Sequence, residues 1–196
     1  MNRINKVSLL PQLKLMTLVS SLLLPGQLLA FERDHDAHEH GHSSLALAIE
    51  NNTIQLEFSS PAINIVGFEH APSTKEDKEK VTSAEKRLKD GAALFVFNPE
   101  SACKLSSSVI ESELLALKDD HHDDHEEHHA SDEESDSHSE FKAEYHFECQ
   151  NIAKLSYIDV KLIEAFPTIE EIETQIITEK TQALVELDHK RQRLEF

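Results

Sequence analysis

Between residues 118 and 140 the chain offers nothing that a core could use. Apart from Lys118 and Ala130, every residue there is Asp, Glu, His or Ser, so the segment cannot bury enough apolar surface to offset the entropy of ordering it. It reads as a long disordered loop. Any fold has to be assembled from the residues on either side.

Those flanking stretches carry the two-residue alternation of half-buried strands. Leu45, Leu47 and Ile49 share a face, Asn51 and Asn52 supply a tight turn, and Ile54, Leu56 and Phe58 resume the pattern, which predicts a β-hairpin. The sharpest alternation follows the loop, where Phe141, Ala143, Tyr145, Phe147 and Cys149 are separated by Lys142, Glu144, His146 and Glu148. A second hairpin is expected from Ile172, Thr174 and Ile176 with Ala183, Val185 and Leu187, and a last short strand at 193–196. Pro61 interrupts the first run, residues 63–68 are again apolar, and Gly67 permits a bend before Glu69 and His70.

Helical signals are fewer. Ser73 with Glu76 has the spacing of a capping box, Val81, Ala84 and Leu88 form a narrow apolar stripe, and Gly91 marks a stop, which predicts one helix covering a face of the sheet. Residues 92–97 read as a buried strand, and a further strand is expected between 105 and 117. The spacing of Leu155, Ile158, Leu162 and Phe166 favours a short helix over a strand at 157–163. The fold class is α+β: a mostly antiparallel sheet with one or two helices and a long disordered His/Asp/Glu-rich loop at 118–140.

The N-terminal part sets the compartment. Residues 1–30 carry only basic charge, at Arg3, Lys6 and Lys14, then an apolar run at 15–24, then Pro25, Gly26 and Ala30, the order of a cleaved secretory signal peptide. About 20 apolar residues would be needed to span a membrane. The expected layout is therefore a signal at 1–30 and a single domain at 31–196, soluble and exported to the periplasm. In an oxidising compartment Cys103 and Cys149 are expected to pair as a disulfide, the alternatives being two buried thiols or two metal-bound thiolates. All 37 acidic residues lie beyond residue 30 whereas three of the 19 basic ones lie before it, leaving a net charge of −21 on the remainder. Such a chain repels nucleic acid and anionic membrane and attracts cations.

Histidine clusters with the acids. The loop supplies His121, His122, His125, His128, His129 and His138 among eleven Asp and Glu residues, and the segment before the first strand supplies His35, His38, His40 and His42. Imidazole and carboxylate are good ligands for zinc and other borderline divalent ions, and many of each close together assemble several four-coordinate sites. A disordered cluster yields interchangeable sites, each weakened by the entropy of ordering its loop. Tight capture needs fixed ligands. The candidates are His38, His40 and His42, which lie on one side of an extended segment, and Glu69 with His70 at the bend before the helix. His146, on a polar strand face between Glu144 and Glu148, is a further candidate against the simpler reading of a solvated side chain.

His125, Glu126 and His129 satisfy the H-E-x-x-H pattern of zinc proteases, but the match falls inside a run built almost wholly of His, Asp and Glu, with no apolar stripe to dock a helix. No glycine-rich phosphate loop and no recognisable Ser or Cys nucleophile accompanies it. The chain reads as a binding protein, not an enzyme.

The ordered set of motifs resembles the ZrgA-like periplasmic zinc-uptake proteins over nearly the whole of 31–196. It comprises His38-Glu39-His40-Gly41, Ser60-Pro61-Ala62 with Asn64, Val66-Gly67-Phe68-Glu69-His70, Cys103 before the acidic histidine loop, Tyr145-His146-Phe147-Glu148-Cys149, Phe166-Pro167 and Gln175-Ile176-Ile177-Thr178. The resemblance implies a protein that binds several Zn2+ ions and works with an inner-membrane transport complex. A second reading is a periplasmic metal buffer or chaperone for zinc, nickel or copper without a dedicated transporter. Both methionines, Met1 and Met16, fall within the signal, so the remainder lacks the thioether ligands that Cu(I) sites favour.

Overall fold

The computed structural model describes residues 40–117 and 139–196. The expected signal peptide, His35, His38 and the histidines of the acidic loop, from His121 to His138, lie outside the described residues. Strand β1 (His42–Glu50) turns through Asn51 and Asn52 into β2 (Thr53–Pro61), and Asn51 takes the left-handed φ of 53° that a two-residue hairpin requires. Helix α1 (Ala62–Val66), α2 (Lys75–Lys89) and α3 (Gly91–Leu94) precede β3 (Phe95–Phe97). After a 3-10 turn come β4 (Cys103–Glu111) and α4 (Glu113–Leu117). Then β5 (Glu140–Cys149), a second 3-10 turn, β6 (Tyr157–Val160), α5 (Leu162–Ala165), β7 (Glu171–Thr178), β8 (Gln182–Asp188) and β9 (Arg193–Glu195) complete the chain.

Six strands form one sheet in the order β4-β5-β2-β1-β7-β8, and β3-β6-β9 form a smaller one. Every pairing is antiparallel except β1 with β7. The α+β reading of a mostly antiparallel sheet therefore holds, and most of the predicted inward residues are buried, with Ile49, Ala183 and Val185 only partly so. Leu45, Leu47, Ile54, Leu56, Phe58, Phe141, Ala143, Tyr145, Phe147, Ile172 and Leu187 line one face of the large sheet, each about 1% exposed or less. Against it pack Val81, Ala84 and Leu88 of α2 and Phe95, Ile158, Val160 and Leu194 of the small sheet. Phe95 meets Tyr145 edge-on at 5.0 Å, and the Tyr145 hydroxyl donates to the Leu88 carbonyl at 2.8 Å. Cys103 and Cys149 are direct cross-strand partners and are disulfide-bonded, so the thiol and thiolate alternatives fall away.

Several local expectations are corrected. The α2 cap is Thr74, not Ser73: its hydroxyl accepts from Asp77 N–H at 3.1 Å while the Asp77 carboxylate accepts from Thr74 N–H at 3.0 Å. Two overlapping hydroxyl-to-acid frames were available, and the reciprocal bonds form in the second. Gly91 does not stop the helix through a left-handed turn. An added Cβ there would stand 2.5 Å from Tyr145 Cδ1, so the position is small because the ring lies against the backbone.

Residues 91–94 form a helical turn, with Asp90 Oδ1 accepting from Ala93 N–H, and only the last three residues of the expected 92–97 strand are extended. The 105–117 stretch is strand only to Glu111 and then turns helical, which buries Leu114 fully. The helix favoured for 155–166 is overturned in its first half. Tyr157–Val160 is a strand held between β3 and β9, with Ile158 and Val160 turned into the core, because ladder partners on both sides outweigh a helical spacing of four side chains. Five helices appear among the described residues where one or two were expected, four of them five residues or shorter. None is long and apolar enough to cross a membrane.

Candidate metal centre

Buried polar groups gather where β1 begins. Gly41, at a φ of 86° that favours glycine, donates its N–H to Asn64 Oδ1 at 2.8 Å, and its carbonyl accepts from Glu170 N–H at 2.8 Å and Glu171 N–H at 3.1 Å. The Asn64 amide donates in turn to the His42 carbonyl at 2.9 Å and to Ser60 Oγ at 3.3 Å, and Ser60 Oγ meets Ser43 Oγ at 2.8 Å. Asn64 is 1% exposed, and a buried amide is retained only when its donors and acceptor are matched, as here. One side chain thus fixes the backbone between His40 and His42. Both imidazoles remain accessible, His40 exposed and His42 about half so.

The outward face of β1 carries His42, and its neighbour in the parallel ladder is Glu171. The His42 Nδ1 and Glu171 Oε1 atoms stand 3.8 Å apart. Nothing in either local stretch announces this contact, since the partners are separated by 129 positions of sequence.

The second candidate pair sits on the bend after α1. His70 stacks on Phe68 with ring centroids 4.7 Å apart, and its Nδ1 lies 3.0 Å from the Ala71 carbonyl. A carbonyl only accepts, so Nδ1 carries the proton and the Nε2 lone pair points outward, the tautomer of a metal-ligating imidazole held by a backbone carbonyl. The Asp77 carboxyl is held below the usual carboxylate range, first by the hydrogen bonds of Thr74 and more weakly by the nearby His70 and Lys80. The Glu69 carbonyl accepts from Ser139 Oγ at 2.9 Å, and the Ser139 carbonyl accepts from Ala62 N–H at 2.8 Å. Ser139 is 5% exposed and directly follows His138 in the sequence.

His146 stands apart. It faces outward on β5 as expected, opposite Gln55 on β2 and Ser107 on β4, where β4 carries a bulge. Gln55 lies four residues from Ser59, whose partner Ser44 is two residues from His42. At about 3.3 Å per residue, His146 is roughly 20 Å along the sheet from the His42 end. No group of three or more His, Cys, Asp or Glu side chains stands at metal-holding distance among the described residues. Asn64 and Ser139 were not assigned a role from sequence, although the Asn64 position belonged to the motif set.

No curated protein matches the chain. Residues 37–196 match the family described as ZrgA family zinc uptake protein, a span that holds every strand and helix described above together with His38, His40, His42, Glu69 and His70. The chain belongs to that zinc-uptake family.

Proposed function

We propose that the protein captures Zn2+ in the periplasm, after export by the signal at 1–30, and supplies it to an uptake system of the inner membrane. Residues 31–196 then act as one domain carrying a disordered acidic histidine loop. The observation that carries the reading is the buried Asn64 amide, which clamps the Gly41 and His42 backbone and so limits the positions open to the His42 imidazole. Preorganised ligands bind more tightly than ligands that must first be ordered.

Two tiers of site follow. The ligands of the tight site are drawn from His38, His40 and His42 with Glu69 and His70, and His70 offers Nε2 because Nδ1 is committed to Ala71. His121, His122, His125, His128, His129 and His138 supply weaker, interchangeable sites. The carboxylates around them attract cations and raise their local concentration. Several zinc ions are bound, none is transformed, and His146 serves the weaker tier.

The test is a competition titration against a chromophoric zinc chelator. The His40→Ala, His70→Ala double variant should weaken the tightest binding event about 100-fold or more, since a four-coordinate zinc that loses two protein ligands takes water in their place. An unchanged event would remove these residues from the tight site and move it to His146 with Glu144 and Glu148.

A further inference from the structure

We propose that Glu171 is a zinc ligand, paired with His42 across the β1–β7 ladder; this deepens the zinc-capture reading and rests on it. The two residues open the ladder as direct Cα partners, and both side chains lie on its outward face, partly exposed. Their separation is informative. A hydrogen bond between an imidazole N–H and a carboxylate spans about 2.7–3.2 Å, whereas two ligands each about 2.05 Å from a tetrahedral zinc stand about 3.3 Å apart. The 3.8 Å between Nδ1 and Oε1 exceeds both, and a small side-chain adjustment would bring the two atoms to ligand spacing around one ion.

The backbones on both sides are held. Gly41 is bonded through its N–H to Asn64 and through its carbonyl to Glu170 and Glu171, so a single residue joins the His42 segment to the Glu171 segment. An added Cβ at Gly41 would stand 3.1 Å from Glu170 Cγ, so this join is also close-packed. Movement between the two ligands is confined to their side chains.

Two neighbouring carboxylates have other partners. Asp188, the ladder partner of Glu171 on β8, accepts from Lys190 N–H and Arg191 N–H at 2.7 Å each, within its own turn. Glu140 accepts from Ser59 Oγ and pairs with Lys142 at 3.3 Å. Glu171 faces the His42 imidazole. A mixed nitrogen and oxygen donor pair suits zinc.

The experiment uses the full chain of residues 31–196 with Zn2+ at less than one equivalent, so that the tightest site fills first, in competition with a chromophoric chelator. Glu171→Gln should weaken that event at least tenfold, and Glu171→Asp, which keeps the charge but withdraws the carboxylate by one methylene, should weaken it by an intermediate factor. Glu170→Gln, the same loss of charge one residue away, should stay within twofold of the parent, and His42→Ala should fall with Glu171→Gln. If Glu171→Gln stays within twofold while His42→Ala weakens binding, Glu171 is not a ligand and the zinc-capture reading stands. If Glu171→Asp matches the parent while Glu171→Gln weakens binding, the carboxylate acts through space only and the proposal is overturned. If neither His42→Ala nor Glu171→Gln changes the event, the proposal fails together with the assignment of the tight site to this end of the sheet.

Discussion

Tyr145 shows how one side chain joins two layers. Its ring lies against Gly91 and Phe95, and its hydroxyl crosses to the Leu88 carbonyl at the end of α2. Burial pushes the phenol up from its usual value near 10. A group whose folded pKa is raised contributes stability that is complete below the unfolded pKa and is lost as pH climbs toward the folded value. Unfolding free energy should therefore decline above about pH 10, where ionisation would place a phenolate in the core and remove the donor. Tyr145→Phe should cost about 1 kcal/mol at pH 7 and show a shallower decline between about pH 9.5 and 11. Urea unfolding followed by circular dichroism measures both, and parallel declines in parent and variant would dismiss Tyr145 as the source.

Among the elements, α2 depends most on its ends. Only Val81, Ala84 and Leu88 of its 15 residues are buried, so tertiary packing supports a narrow stripe and the first turn must satisfy its own N–H groups. The Thr74–Asp77 box does so, four residues after His70, and thereby also fixes the exit of the bend that carries the imidazole. Thr74→Ala should lower stability by about 1 kcal/mol, while Ser73→Ala should change it by less than about 0.5 kcal/mol. Denaturant midpoints of the two variants decide between the overlapping frames, and equal losses would contradict the cap at Thr74.

For the molecule as a whole, the disulfide and the acidic segment belong together. Cys103 and Cys149 lie 46 positions apart and join β4 to β5, enclosing the stretch rich in His, Asp and Glu. In the loop-entropy model a bridge of this span restricts the unfolded chain by about 4 kcal/mol. The stretch has no apolar side chain larger than alanine to offer a core, and its flanks are secured by buried Leu114 in α4 and by Ser139 between Glu69 and Ala62. Deleting residues 121–138 should lower the number of Zn2+ ions bound, measured by calorimetry and elemental analysis. The fold and the tightest event should survive. Loss of all binding would refute the two-tier arrangement.

What the sequence determined is whatever each segment encodes by itself. Alternation at 45–58, 141–149 and 172–187 specifies strands and their inward faces, because a side chain's face follows from its parity along the strand. The spacing of Val81, Ala84 and Leu88 likewise specifies the buried stripe of α2. Histidine spacing before the first strand and the bend after Gly67 nominate His38, His40, His42, Glu69 and His70 as candidate ligands. Weak local patterns left the rest open, as at 157–160, where the extended conformation exists because β3 and β9 provide ladder partners on both sides. Only the tertiary structure decided that β1 runs parallel to β7, that Asn64 reaches back to Gly41 and that Glu171 faces His42. The physical reason is that strand pairing depends on which edges are left to be satisfied once the hairpins form and their apolar faces are buried, and neither partner carries that information in its own neighbourhood.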